Sequence, residues 1–165
     1  MQLLNSKQVE QKIKRLAYEI LEQHYDEAEI IIAGINNKGL TLARKLKREL
    51  DKIARKTSIR LTSLKLSPAN PTENEIKIGI PLEEINDKVI IITDDVANTG
   101  RTMYYAIRPL LDILPKKVEF AVLVDRKHKS FPIKVDYVGM TLATTIQENI
   151  EVEFGKKGES VVMLD

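Results

Sequence analysis

The sequence predicts an α/β fold in which a central parallel sheet is flanked by helices. Three observations carry that prediction. Short apolar runs at Ile30–Ala33, Val89–Ile92 and Val118–Val124 lack the polar alternation of half-exposed strands, as expected for strands buried on both faces. The first two are followed by small or polar turns and then by apolar residues at helical spacing: Leu40, Leu42, Ala43, Leu46 and Leu50 after one, Met103, Ile107, Leu110 and Leu111 after the other. The order strand, turn, helix, strand is that of repeated βα units.

Length and composition narrow the class. With 165 residues the chain suffices for one domain, 1–165, whose core needs neither disulfide nor structural metal. Lys plus Arg number 26 against 24 Asp plus Glu, a net charge of +2, so overall charge does not demand a nucleic-acid partner. Basic residues cluster locally at Lys12, Lys14 and Arg15, from Lys45 to Lys56, and at Arg126, Lys127 and Lys129; solvated helix faces are their ordinary reading. The absence of cysteine excludes thiol chemistry and suits a reducing compartment. Residues 1–7 lack the apolar core of a signal peptide, and no apolar run approaches the ~18 residues of a membrane span, so we expect a cytoplasmic protein without a membrane partner.

In chain order, Val9, Ile13, Leu16, Ala17, Ile20 and Leu21 predict an amphipathic helix over about Lys7–Gln23, with Asn5 and Ser6 as candidate caps. The strand Ile30–Ala33 then runs into Gly34-Ile35-Asn36-Asn37-Lys38-Gly39, where free amides and a lysine could meet an anion. This turn lacks the Gly-Lys-Ser/Thr ending of a P-loop and the Gly-x-Gly-x-x-Gly of dinucleotide folds, and by itself reads as an ordinary βα turn. Ile59–Leu66 and the alternating Ile76, Ile78 and Ile80 predict a hairpin with a proline-bearing tip at 67–74. The helix from Arg101 is expected to reach about Ile113, ahead of Pro115. Ile150–Phe154 and Ser160–Leu164, joined through Gly155-Lys156-Lys157-Gly158, predict a closing hairpin.

The chemistry is concentrated after the strand Val89–Ile92. Asp94 and Asp95 come first, then Val96-Ala97-Asn98-Thr99-Gly100-Arg101-Thr102 leads into a helix. Backbone amides and the Thr99 and Thr102 hydroxyls could hold a phosphate there. Two carboxylates cannot favourably face that same phosphate. They should meet the vicinal hydroxyls of a sugar or a magnesium ion, so the ligand reads as a phosphorylated sugar.

The fifteen residues Val89–Met103 resemble the phosphoribosyl-pyrophosphate (PRPP) signature of type I phosphoribosyltransferases. Leu123-Val124-Asp125-Arg126-x-His128, Pro132-Ile133 and Asp136-Tyr137-Val138-Gly139 narrow the resemblance to the pyrimidine operon regulators, which combine an RNA-binding attenuator with uracil phosphoribosyltransferase activity. The likeness extends from about Ser6 to Thr145. It implies Ala97, Asn98, Thr99, Gly100, Arg101 and Thr102 for the 5′-phosphate of PRPP, and Asp94 and Asp95 for the ribose hydroxyls. Asn36, Asn37, Lys38 and Gly39 would hold pyrophosphate, with Lys38 as the basic residue and a cis peptide between Asn37 and Lys38. Asp94, Asp95 and Lys38 would be the catalytic groups. It further implies a flexible flap over about 61–80, a C-terminal hood over about 125–165, Tyr137 stacking on the base with Val138 offering its main chain, and Arg126 and His128 at the rim. From the residues alone, the hairpin reads equally as an inert surface element. Magnesium is implied as the cofactor, carried by the substrate near Asp94 and Asp95. The partners implied are PRPP, a nucleobase or nucleotide, a second copy of the chain in a homodimer or higher oligomer, and RNA.

Three departures stand out. Asn98 lies where purine-using relatives carry an aspartate that accepts a proton from the base, which points to a pyrimidine. Lys38 stands where the regulators carry arginine, a better bidentate clamp. Leu61–Ile80 departs from the regulators' acidic, arginine-containing text. The sequence therefore favours transfer to uracil. An RNA-binding regulator that uses PRPP as an effector, and a purine transferase, are the alternatives.

Overall fold

Side-chain alternation along the buried strands builds two cores. The structure, a computed structural model, describes residues 1–143 and 147–165. Its strands are β1 (Gln2–Leu4), β2 (Glu29–Ile35), β3 (Ser58–Lys65), β4 (Lys77–Ile78), β5 (Val89–Ala97), β6 (Lys117–Arg126), β7 (Tyr137–Leu142), β8 (Ile150–Phe154) and β9 (Ser160–Leu164), and its helices are α1 (Ser6–His24), α2 (Asn36–Ile53) and α3 (Arg101–Ala106). Ile30, Ile32, Val89 and Ile91 point to the face covered by α1 and α2, while Ile31, Ala33, Ile90 and Ile92 point to the face that holds Met103, Ala106 and Leu110. Both faces being dry is why these strands carry no polar alternation.

The main sheet has six strands in the order β4-β3-β2-β5-β6-β7, all parallel except the edge strand β4. A second, three-stranded sheet, β1-β9-β8, contains the expected closing hairpin; β1, a strand that periodicity over three residues could not reveal, completes it. The N-terminal helix is capped as expected: Asn5 accepts from the Gln8 amide and the Gln8 side chain accepts from the Asn5 amide, a reciprocal capping box.

Two elements differ from expectation. The helix after the signature is short: α3 ends at Ala106 and a 3-10 turn, Arg108–Asp112, replaces its continuation. Pro109 lacks an N–H, and its ring would clash with the carbonyl one turn back, which stops the α-helix well before Pro115. The flap hairpin is also shorter than the Ile76–Ile80 alternation suggests. β4 has only two residues, paired as Leu64 with Ile78 and Lys65 with Lys77. Gly79 and Pro81 end it. Residues 144–146, within the expected hood, lie outside the described residues.

Candidate active site

The chain leaves β2 for β3 on one side and returns to β5 on the other, so the carboxyl ends of β2 and β5 flank a topological switch point, where open α/β sheets bind ligands. α2 begins directly after β2. Asn36–Gly39 is therefore the first turn of a helix rather than a loop before one, and its leading amides have no partner within the helix. The Thr93 hydroxyl donates to the Gly39 carbonyl at 2.8 Å, and a Cβ on Gly39 would lie 2.5 Å from the Thr93 carbonyl oxygen. Only glycine lets α2 approach β5 this closely. Gly39→Ala is expected to cost about 1–3 kcal/mol through overpacking, measurable by denaturant unfolding.

No cis peptide occurs among the described residues, so the expected cis bond between Asn37 and Lys38 is trans here. The unusual backbone is at Asn36, with φ 50°, a left-handed value that asparagine tolerates better than most residues. Its side chain is held at both ends: Nδ2 donates to the Leu66 carbonyl at 3.0 Å, and the Leu66 amide donates to Oδ1 at 3.1 Å.

Lys38 reaches from this turn across the switch point. Its Nζ lies 3.9 Å from Asp95 Oδ2 and 3.9 Å from Glu151 Oε1 on β8. The Asp95 amide donates to Asp94 Oδ1 at 2.9 Å. Burial, then the neighbouring Asp95 carboxylate, hold the Asp94 carboxyl well above the usual carboxylate range, with Lys38 opposing them. A carboxyl so placed is poised to meet hydroxyl donors or positive charge.

Beyond the acids, residues 97–102 form one wall of a cavity of about 520 Å³ that Pro68, Ala69, Ser130 and Phe131 help to close. Gly100, with φ 85°, makes the turn into α3, and Arg101 donates to the Pro68 carbonyl at 2.6 Å, so the flap tip rests on this loop. Arg126 Nη1 donates to Asn98 Oδ1 at 3.4 Å; His128 is exposed.

The base-side expectation needs correction. Tyr137 is only 4 % exposed and sits in the core beneath α1. Its hydroxyl donates to both Glu119 oxygens at 3.1 Å and lies 3.3 Å from His24 Nε2. The Val138 carbonyl accepts from Arg15 Nη2 at 3.0 Å, and that of Gly139 from the same nitrogen at 2.8 Å. Both residues begin β7, whereas ligands meet parallel strands at their carboxyl ends. The register pairs Ala97 with Asp125, Asp125 with Thr141 and Arg126 with Leu142. Asp125, Thr141 and Leu142 are thus the residues that the register brings level with the carboxyl end of β5, and of these the sequence reading singled out none. Counting forward along β7 to its far end would have found the last two.

The whole arrangement can be compared with known proteins. The model of the phosphoribosyl transferase domain matches residues 1–156. The bifunctional protein PyrR of Alkaliphilus metalliredigens is 36 % identical over 170 residues, covering 98 % of this chain and 93 % of that protein. That of Bacillus pumilus is 31 % identical, covering 93 % and 90 %. The chain belongs to the phosphoribosyltransferase family, in its PyrR-like branch. Solved structures agree on the fold: the hypoxanthine phosphoribosyltransferase of Trypanosoma cruzi superposes with a TM-score of 0.76 at 16 % identity, covering 98 % of this chain and 95 % of its own, and a hypoxanthine-guanine phosphoribosyltransferase of Bacillus anthracis with 0.72 at 20 %, covering 86 % and 81 %. At such identities they establish the type I architecture and no substrate.

Members of this family use magnesium with PRPP, and the residues fit a metal of that kind. No cluster of three or more metal-ligating side chains occurs among the described residues, so a resident all-protein site is not built. Asp94 and Asp95 would offer hard carboxylate oxygens of the kind that suits a magnesium ion arriving with the oxygens of its substrate. No helix among the described residues is long and apolar enough to cross a membrane.

Proposed function

We propose that the chain transfers the 5-phosphoribosyl group of PRPP to uracil and releases pyrophosphate. The observation that carries this reading is the convergence at the switch point: Lys38 of the first α2 turn stands 3.9 Å from Asp95, which continues into the 97–102 cradle. A diphosphate, a ribose and a 5′-phosphate can therefore be held by three adjoining groups of residues.

Residues 97–102 hold the 5′-phosphate through amides and hydroxyls. Asp94 and Asp95 face the ribose hydroxyls and offset the positive charge that builds on the anomeric carbon. Asn36–Gly39 and Lys38 hold the leaving diphosphate. A ring nitrogen of the base forms the bond to the anomeric carbon as the bond to the diphosphate oxygen breaks; the ring proton leaves to solvent. When bound, magnesium supplies charge neutralisation on the diphosphate. The base is expected beside Asp125, Arg126, Thr141 and Leu142 rather than on Tyr137. Asn98, an amide bonded to Arg126, offers no base that could take a purine proton, which supports a pyrimidine acceptor.

A second reading, an RNA-binding regulator, is favoured by one feature: Lys14, Lys45, Arg48 and Lys52 line a groove between α1 and α2. The relatives' name, bifunctional, is compatible with both activities in one chain. A cytoplasmic homodimer completes the proposal, to be checked by sedimentation.

Pyrophosphate release from PRPP and magnesium, measured in parallel with uracil, orotate, hypoxanthine, guanine and xanthine, tests the assignment. Release with uracil, lowered about 100-fold or more in Asp95→Asn, is the expected result. Release only with a purine would sink the pyrimidine assignment; PRPP binding without turnover on any base would favour the regulator.

A further inference from the structure

The loop that follows β6 grips the outside of the 97–102 turn. The Thr99 carbonyl accepts from two successive amides of that loop, Ser130 at 2.9 Å and Phe131 at 3.2 Å. No peptide among the described residues is cis, and a trans peptide points its carbonyl and the next N–H in opposite directions. The Gly100 amide is therefore turned away from the loop that holds Thr99. It has no hydrogen-bond partner among the described residues, although Gly100 is buried. A buried N–H left free is costly, so the turn keeps this donor for a ligand, and the cavity that Gly100 lines is the one assigned above to the 5′-phosphate.

One side chain fixes the loop in that grip. Lys129 is only 18 % exposed. Its ammonium donates to Asp125 Oδ1 at 2.7 Å and to the Arg126 carbonyl, closing the turn out of β6. Its stem passes over Gly100: a Cβ built there would lie 3.4 Å from Lys129 Cδ and 3.1 Å from Ile133 Cβ. A lysine held at head and stem gives up rotamer freedom and hydration that a loop lysine ordinarily keeps. Ser130 and Phe131, the two donors to Thr99, come directly after it. Lys127, in the same loop, is exposed.

We propose that Lys129 is a positioning residue for the 5′-phosphate: by anchoring residues 129–131 to the end of β6, it sets the Thr99–Gly100 peptide so that the Gly100 N–H faces the phosphate. This rests on the transferase reading and deepens it. The anchor is Asp125, which the register places level with Ala97 at the end of β5. One side chain thus holds the acceptor side and the phosphate side of the site in a fixed relation.

Calorimetry of ribose 5-phosphate on the full chain tests it, with magnesium pyrophosphate as the ligand of the neighbouring subsite and Lys129→Met and Lys127→Met as variants. Both variants remove one positive charge from the loop, but only the first removes the anchor. Lys129→Met should weaken ribose 5-phosphate binding about tenfold and leave pyrophosphate affinity unchanged, whereas Lys127→Met should change neither. With uracil as acceptor, KM for PRPP should rise about tenfold in Lys129→Met while kcat stays within about twofold, the pattern of lost uniform binding. In chains carrying isotope-labelled glycine, ribose 5-phosphate should move the Gly100 amide proton downfield in the unmodified protein and in Lys127→Met, and much less in Lys129→Met. Ribose 5-phosphate affinity in Lys129→Met within about twofold of the unmodified chain would overturn the proposal. So would an equal loss in Lys127→Met, which would mark a general charge effect, or an equal loss of pyrophosphate binding in Lys129→Met, which would mark a structural role. No ribose 5-phosphate binding by the unmodified chain would overturn the transferase reading itself.

Discussion

Glu119→Ala is expected to destabilise the chain by about 3–5 kcal/mol, the usual cost of removing one partner from a buried charged cluster. Glu119 on β6 is 4 % exposed and holds three elements together. His24 at the end of α1 bonds it through Nε2, the Tyr137 hydroxyl from β7 donates to both its oxygens, and Lys117 approaches it from the surface at 3.6 Å. Alanine would leave a buried imidazole and a buried phenol without their acceptor, and a void besides. Burial and the Glu119 carboxylate push the Tyr137 phenol upward from its ordinary value, so it remains a donor throughout the working pH range. Glu119→Gln keeps an acceptor oxygen and should cost less than half as much. Urea unfolding of the two variants checks the order. A loss below about 1 kcal/mol in the alanine variant would show that the cluster does not tie α1 to the sheet.

That cluster marks where sequence reading stopped. The strands at Ile30, Val89 and Val118 were legible because dry strands need unbroken apolar text, and α1 because its apolar stripe and Asn5 cap are local signals. Pro109 lies closer to the helix start than Pro115 and stops the helix first. His24, Glu119 and Tyr137 lie on three elements and look, one at a time, like a helix-end histidine, a surface glutamate and a strand tyrosine. Only the sheet order brings them together.

The candidate site divides in the same way. Asp94, Asp95 and residues 97–102 are contiguous, so a phosphorylated-sugar site can be read from their spacing, whereas the turn of Lys38 reads by itself as an ordinary βα turn and Lys38 gains its role only through the family resemblance. The place of Tyr137 is set by the register between β6 and β7, which no local pattern encodes: the resemblance puts it at the base, whereas its ring is buried four residues before Thr141 near the far end of β7. The flap fell between these cases. Its two strands were visible, but that Lys65 stands opposite Lys77 depends on a pairing set by tertiary contact.

Asp94→Asn should separate stability from function. Folding raises the Asp94 pKa through burial and the Asp95 charge, so the ionised side chain opposes folding. The sign follows from linkage: a group whose folded pKa exceeds its unfolded value favours folding below the unfolded pKa, and that contribution is lost as pH rises through the folded one. At neutral pH the native chain carries this penalty. Asparagine removes the charge yet keeps an oxygen that can accept from the Asp95 amide, as Oδ1 does at 2.9 Å. The variant should therefore be more stable by about 1 kcal/mol at pH 7, roughly 2–4 °C in Tm, with the gain shrinking toward pH 4 where the native carboxyl is itself protonated. On the proposed transferase reading, turnover should fall about 100-fold, because the side chain would no longer offset positive charge on the sugar. Melting curves from pH 4 to pH 8 beside kcat for each protein decide it. A variant less stable than the native chain at pH 7 would mean that the Asp94 charge is a structural asset, and one with undiminished kcat would remove Asp94 from the sugar site.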